Sequence, residues 1–476
     1  MIPVVLRTDA LLWLLVAAVA AYIVHVRRSP HLLVPWRRVT RSASGMSALM
    51  VFLAFVGIGL LDSVHFRPAL ETKDDRGETV YAVEAISILD AIATPLRARR
   101  ERTYSAPLAT RAYAKETIEI AVPGGKPRQV REFPRLIWGG AHLKSEDDRL
   151  SDVLARALAG LGLAFVVWCG LAAAVTATRA RRAGRGLKEE WRSIWRAETV
   201  TPWWALLLTA GALLAIGGVV VSLCARYHVL GTEKVGQDVL YLVLKSIRTA
   251  LVIGTVTTLV LLPFAVILGI MAGYFRGWID DVVQYLYTTV SSIPSVLLIA
   301  AAVLLMQVYI DQHPELFPTT AQRADLRLLF LCIILGLTSW TGLARLLRGE
   351  ALKLRELEYI QAAQAFGVRS GQIIARHILP NVMHIVLISL VMEFSGLVLA
   401  EAVLSYVGVG VDPTMISFGT MINAARLEMS RDPVVWWILL AAFVFMFALV
   451  LSANLFADAV RDAFDPRVRV GGLARA

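Results

Sequence analysis

Apolar and polar stretches alternate along this chain on the length scale of a lipid bilayer. A hydrocarbon core of ~30 Å takes roughly 20 helical residues to cross. Runs of about that length lie near residues 9–26, 46–64, 153–177, 203–224, 249–273, 285–309, 328–347, 382–407 and 434–456. They predict nine membrane-spanning helices, the first two being the shortest. The last six, from Pro202 onward, follow one another through short connections, whereas three precede a basic stretch from Arg179 to Trp203. The pattern divides the chain into two apolar helices over 1–61, a hydrophilic segment over 62–152, a third helix with a basic linker over 153–200, and a six-helix block over 201–476.

The hydrophilic segment carries charges of both signs and prolines at Pro68, Pro95, Pro107, Pro123, Pro127 and Pro134. The alternating stretch ETIEIAV, ending at Val122 and followed by a PGGKPR turn, predicts some strand. RTYSAPLAT (Arg102–Thr110) and WGGAHL (Trp138–Leu143) read as ordered turns rather than linker. With no paired cysteines and modest hydrophobic content, a core of its own would be thin. The segment is expected to pack either on the membrane block or on an external partner.

Charge placement orients the chain. Arg27, Arg28, Arg37, Arg38 and Arg41 fall in the first interhelical loop, and Arg179, Arg181, Arg182, Arg185, Lys188, Arg192 and Arg196 in the third. Arg345, Arg348, Lys353, Arg355, Arg369 and Arg376 follow, with Arg461, Arg467 and Arg469 on the tail. These are alternate loops, so the net charge of +11 marks a membrane side and lipid contact rather than nucleic acid. The N-terminus is expected outside, the C-terminus and residues 350–380 in the cytoplasm, and 62–152 in a periplasm-like space. A 57% apolar share and a mean hydropathy of +0.63 exclude a soluble globule, whose apolar share is nearer ~45–50%. Asp9 before the first run and arginines after it argue for a retained span rather than a signal peptide. Cys169, Cys224 and Cys332 lie in or beside apolar runs without pairing or metal spacing and read as packing residues.

One polar segment interrupts the six-helix block: Glu358–Pro380, EYIQAAQAFGVRSGQIIARHILP. Helical spacing sets Tyr359, Ile360, Ala362, Ala363 and Phe366 on one side, and Glu358, Gln361, Gln364 and Ala365 on the other. Gly367 stands where a helix ends on a left-handed residue, Ser370 where a cap could start a second short helix, and Pro380 in the first turn of the next apolar run. Helix, sharp turn, helix is the predicted form, and its small alanines permit close approach by another protein.

This hairpin resembles the EAA loop of ABC-importer permeases, and its RHILPN ending resembles the C-type subunit of oligopeptide and dipeptide importers. Gln361 stands where that family usually has Glu. Further segments resemble the family in the same order. They are YHVLGTEKVGQDVL, in which His228, Gly231, Thr232, Gly236, Asp238 and Val239 match and Val229, Glu233 and Gln237 depart; AGYFRGWIDD (Ala272–Asp281); LAEAVLSYVGVG (Leu399–Gly410); and ADAVRDAFDPR (Ala457–Arg467). The resemblance covers most of residues 225–467. It implies an all-α polytopic protein of the bacterial inner membrane, in which a six-helix permease core follows three extra helices and an external segment. It also implies coupling to ATPases through Glu358, Tyr359, Gln361, Ala362, Ala363, Phe366, Gly367, Leu379 and Pro380. The partners would be a B-type permease, two ATP-binding subunits holding ATP and magnesium, and an external solute-binding protein, with no cofactor on this chain.

Inside the membrane, Glu393 and Glu401 are the carboxylates to weigh, since a charge at mid-bilayer costs on the order of 2.5–3.5 kcal/mol by insertion scales. Glu393 is open between lining the translocation path and being a neutralised packing group; Glu401 reads as packing. Pro294 is expected to kink its span, with Ser291 and Ser292 satisfying freed backbone groups and facing the path. No phosphate-cradling G-x-x-x-x-G-K-[ST] occurs, and the eight histidines show no metal spacing. No catalytic residue and no metal ligand is expected. Two rival readings remain at this point: an ion-coupled secondary transporter or channel using Glu393, and a scaffold recruiting an envelope protein through 62–152. The first would call for inverted repeats, and the sequence shows none.

Overall fold

The computed structural model describes residues 2–73, 79–120, 128–313, 315 and 319–464. The PGGKPR turn, apart from Arg128, and the tail with Arg467 and Arg469 lie outside the described residues. Among the described residues nine helices are long and apolar enough to cross a membrane: Arg7–Arg28, Ala43–Asp62, Arg149–Ala183, Trp203–Cys224, Val239–Phe275, Ser295–Gln312, Thr320–Arg355, Ser370–Val407 and Trp437–Phe464. Each overlaps one of the predicted runs.

The sixth span corrects its prediction. In place of one kinked helix over 285–309 there are two helices, Gly277–Ser292 and Ser295–Gln312, separated at Ile293 and Pro294, whose ψ angles are 130° and 115°. Proline offers no N–H to the preceding turn and drives the residue before it out of the helical region. Ser292 Oγ donates to the Thr289 carbonyl at 2.7 Å, satisfying one backbone group near the break.

By packing, the described residues form two compact units: those within 2–3, 40–249 and 416–452 in one, and those within 4–39, 250–415 and 453–464 in the other. In the first unit the third and fourth spans meet through small residues. A side chain at Gly160 would meet the Gly218 carbonyl at 2.5 Å, and one at Gly218 the Gly160 carbonyl at 2.6 Å. This small-residue seam lets backbones approach where apolar attraction between helices is weak. Trp168 Nε1 reaches the Leu207 carbonyl at 2.8 Å over Gly211. In the second unit, Asp325 caps the first span by accepting from Arg7 N at 2.8 Å and Thr8 N at 3.3 Å. A buried carboxylate facing free N–H groups at a helix start matches the positive end of its dipole.

The external segment does contain strands. Glu116–Ile120 pairs antiparallel with Arg128–Glu132, Ile118 opposite Val130, and His65–Arg67 pairs with Ile86–Ser87. Of the two expectations for its packing, the structure shows the first: the segment lies on residues 225–245 of its own chain. Asp62 and Asp90 both bind Lys245 Nζ, at 2.7 and 3.1 Å; Ser87 Oγ donates to Asp62 at 2.6 Å and Tyr241 OH to Asp90 at 2.7 Å. Glu101 accepts from the backbone N–H groups of Ile137, Trp138 and Gly139 at 2.8, 2.8 and 3.1 Å. Its Oε1 also lies 3.3 Å from His228 Nε2, while His228 Nδ1 meets Asp238 at 2.8 Å. Gly236 has φ +73°, and a side chain there would strike the Glu101 carbonyl at 1.8 Å, so the approach depends on glycine.

Burial alone would lower the His228 pKa, but hydrogen bonds from Asp238 and Glu101 outweigh it and raise the pKa to about 9. Burial would raise that of Glu101, yet His228 and the three backbone donors hold it below its ordinary value. The imidazolium therefore stabilises the folded state fully below its ordinary pKa of 6.5 and loses that contribution as pH rises through about 9. Glu101 contributes above its ordinary 4.5 and loses its contribution as pH falls through its lowered value. Thermal unfolding in detergent is expected to show lower stability at pH 9.5 than at pH 7. His228→Ala should remove that alkaline loss and cost about 3–5 kcal/mol at pH 7 by leaving two buried carboxylates without their partner. A variant that melts like the parent at both pH values would refute the assignment.

Candidate functional site

The hairpin begins at a turn of close-packed backbones. Helix Val239–Phe275 presents Gly269 and Gly273, four residues apart, to helix Thr341–Arg355. A side chain at Gly269 would meet the Ala344 carbonyl at 2.7 Å, and one at Gly273 the Arg348 carbonyl at 2.5 Å and Ala351 Cβ at 2.7 Å. Around this seam lies a core of Leu261, Ala265, Ile270, Leu343, Leu347 and their neighbours, into which the hairpin inserts Ile360, Ile373 and Ile378.

Polar groups tie the hairpin base to the short turn after Phe275. Arg276, at φ +58°, pairs with Glu356, and Arg355 Nη1 donates to the Tyr274 carbonyl at 2.8 Å. Gln364 Nε2 reaches Tyr274 OH at 3.3 Å. Arg348 clasps Asp280 through both nitrogens at 2.5 and 2.7 Å, the two-pronged geometry that fixes orientation as well as charge.

The hairpin is helix, turn, helix. Glu358–Ala365 is helical, Gly367 is left-handed at φ +73°, and helical structure resumes at Ser370. Val368 N closes the turn on the Ala363 carbonyl at 3.1 Å, a glycine-ended helix terminus. One detail differs from expectation. The capping position before the second helix is held by Arg369, and no side chain caps it; Ser370 is already the first helical residue. Pro380 takes the expected first-turn position of helix Leu379–Val407, which follows Ser370–Ile373 and a widened π turn at Ile374–Ile378 without a break. A proline needs room beside the carbonyl four residues earlier and leaves it without a donor, and the widened turn directly upstream supplies that room.

The predicted single face is divided. Ile360 is 0% exposed and Ala363 packs against the same core, whereas Tyr359 is 45% and Phe366 87% exposed, with Ala362 also outside. Tyr359, Ala362 and Phe366 thus form an outward stripe at spacings of three and four residues. Glu358 and Gln361 flank it on the exposed side; Leu379 packs into the core and Pro380 is exposed. Gln361 Nε2 donates to the Glu356 carbonyl at 3.2 Å, a bond that a glutamate at this position could not make. Tyr359 OH accepts from Asn381 Nδ2 at 3.2 Å.

Ser291 and Ser292 do come together with the helix break. They line a cleft of about 480 Å³ with Pro294, Ser295, Thr338 and Thr341, and Arg345 Nη2 lies 3.4 Å from Ser291 Oγ. Glu393 is half-buried and does not line that cleft; Glu401 is buried and accepts from Ser405 Oγ at 2.6 Å. The bracing residues Tyr274, Arg276, Asp280 and Glu356 escaped sequence reasoning. Only the G-x-x-x-G at Gly269–Gly273 signals that two backbones meet there.

Two substitutions on one short helix separate inside from outside. Ile360→Asp is expected to destabilise the detergent-solubilised chain by more than about 3 kcal/mol, since it buries an unpaired charge. Phe366→Asp should change stability by less than about 0.5 kcal/mol. Equal melting shifts for the two variants would contradict the division.

Residues 265–470 match the family described as binding-protein-dependent transport system inner membrane component. The chain is 32% identical over 242 residues to the oligopeptide transport system permease protein OppC of Mycobacterium tuberculosis, covering 51% of this chain and 77% of that protein. It is 30% identical over 243 residues to OppC of Haemophilus influenzae, covering 51% and 71%. It is 29% identical over 242 residues to the glutathione transport system permease protein GsiD of Pectobacterium atrosepticum, covering 51% and 73%.

Proposed function

Since this chain belongs to the family of binding-protein-dependent transport system inner membrane components, we propose that it carries peptides or related small solutes, with its exposed hairpin stripe as the ATPase-docking surface. The chain is a multi-pass inner-membrane permease subunit of an ABC importer. The cargo class rests on the relatives, whose names specify oligopeptide, dipeptide and glutathione transport. The complex would hold a second, B-type permease, two ATP-binding subunits carrying ATP and magnesium, and an external binding protein. Hydrolysis takes place on those ATP-binding subunits, and this chain acts without a cofactor or catalytic group of its own. The N-terminus lies outside and residues 350–380 in the cytoplasm, as the basic loops require.

The observation that carries the docking assignment is the divided helix. Ile360 and Ala363 fix Glu358–Ala365 to the membrane core while Tyr359, Ala362 and Phe366 are exposed on its other side. Phe366 is the knob for a groove on the partner, and Gly367 sets the turn that presents it. When the ATPase pair closes on ATP, the force enters at this stripe and passes through the Gly269–Gly273 seam to the spanning helices. The path alternates between inward and outward states because hairpin contacts differ in energy between the two ATPase states; equal contacts would shift nothing. Within the membrane, the serine and threonine cleft at Ser291 and Ser292 lines the path. Glu393, which has no ion-pair or hydrogen-bond partner among the described residues, is the carboxylate available to it.

The test is a mild-detergent pull-down of tagged protein with ATPase assay of the eluate, alongside uptake of labelled peptide. The parent should co-purify a second permease and an ATP-hydrolysing pair. Phe366→Asp, Ala362→Asp and Gly367→Val should insert normally yet lose the ATPase and at least 90% of uptake. Normal uptake by Phe366→Asp would sink the docking surface, and a parent that purifies alone would sink the importer complex.

A further inference from the structure

After the third span the chain folds back on the membrane. Helix Arg149–Ala183 ends at Gly184, left-handed at φ +64°, and a nine-residue helix, Leu187–Trp195, starts three residues later. Its inner face is anchored at membrane depth. Ile194 is 0% exposed against Ala172 and Leu207, which belong to the third and fourth spans. Glu190, also buried, accepts from Arg179 Nε at 2.8 Å and lies 4.0 Å from Arg185. On the orientation proposed above, the helix packs on the third and fourth spans at their cytoplasmic ends.

Its outer face combines two residue types. Trp191 and Trp195 are exposed and meet edge to face, ring centres 5.7 Å apart. Lys188, Arg192 and Arg196 stand between and beside them, and together these five residues line a cleft of about 460 Å³. Arg179 and Arg185 share the single carboxylate of Glu190, but among the described residues Lys188, Arg192 and Arg196 have no carboxylate partner. Unpaired cations around indole walls at the bilayer surface match a group with a phosphate in the headgroup layer and a glycerol-acyl body below it. Tryptophan is favoured at that depth, a surface helix of this charge pattern binds anionic lipid, and guanidinium matches phosphate through two parallel donors.

We propose that the cleft formed by Lys188, Trp191, Arg192, Trp195 and Arg196 is a binding site for an anionic phospholipid headgroup of the cytoplasmic leaflet. It rests on the cytoplasmic orientation proposed above and not on the cargo or on ATPase docking. The bound lipid holds the basic linker of the N-terminal block against the membrane and makes that part of the chain responsive to lipid charge.

The test uses the purified full chain in non-ionic detergent, titrated with fluorescent phosphatidylglycerol and, separately, fluorescent phosphatidylcholine. The parent should prefer phosphatidylglycerol. Removing one basic contact should cost about fivefold, so the combined Lys188→Gln, Arg192→Gln, Arg196→Gln variant should lose on the order of 100-fold in phosphatidylglycerol affinity. Binding of phosphatidylcholine should not change. Trp191→Ala with Trp195→Ala, charges retained, should weaken phosphatidylglycerol binding as well. Arg181→Gln with Arg182→Gln, outside the cleft, should leave it intact. Equal binding of the two lipids, an unweakened triple variant, or an equal loss in the Arg181 and Arg182 control would overturn the site. Full displacement by millimolar inorganic phosphate would overturn it too, marking a free-anion site. Access of an impermeant label to Lys188→Cys, in a chain whose Cys169, Cys224 and Cys332 are changed to Ser, in right-side-out and inverted vesicles checks the orientation separately. Labelling from the external side would overturn the leaflet assignment even where the lipid binds.

Discussion

Everything at the hairpin end of the second unit depends on two helices being allowed to touch backbone to backbone. Lipid tails are as apolar as leucine, so greasy side chains alone give little reason for one span to prefer another. Gly269 and Gly273 change that by bringing the Ala344 and Arg348 carbonyls into direct contact with the neighbouring helix. Dispersion over a flush surface replaces the missing hydrophobic drive. Once that contact is made, the helix at 341–355 has one position, and the isoleucines of the hairpin have a core to enter. The ion pairs at Arg276 and Arg348 then fix rotation about the contact, which apolar packing leaves soft.

The hairpin uses this rigidity in an asymmetric way. Side chains on one side of an eight-residue helix are consumed by the chain's own core, so the helix cannot roll to offer a different stripe. Its outward side sets the two aromatic rings of Tyr359 and Phe366 on either side of the small Ala362. The widened turn at Ile374–Ile378 sits just beyond, where it accommodates Pro380 without breaking the connection to the eighth span.

How much of this is legible in sequence varies with the kind of interaction. All nine spans and the left-handed Gly367 follow from local rules, because spanning length and a helix-ending glycine are set by the residue and its near neighbours. The side on which Ile360 is buried does not follow, since periodicity places Tyr359, Ile360 and Phe366 on one broad face and only the third dimension divides it. The break at Pro294 is legible as a disturbance but not in degree; a kink and a full interruption share the same signature. Glu101 is the least legible of all. It sits in a run of arginines with no local mark of burial, and its meaning comes from a loop over a hundred residues away.

That distant pairing has a historical side. Glu101 shares His228 with Asp238, and Lys245 is shared by Asp62 and Asp90. Without residues 62–152, Lys245 would lose both of its carboxylate partners and His228 one of its two. The appendage is thus entrenched: mutation can elaborate its surface freely, but cannot discard it in one step without first rewriting the loop beneath it. An addition of this kind works as a ratchet, held in place by the chemistry of its attachment whether or not its outer face has acquired a task.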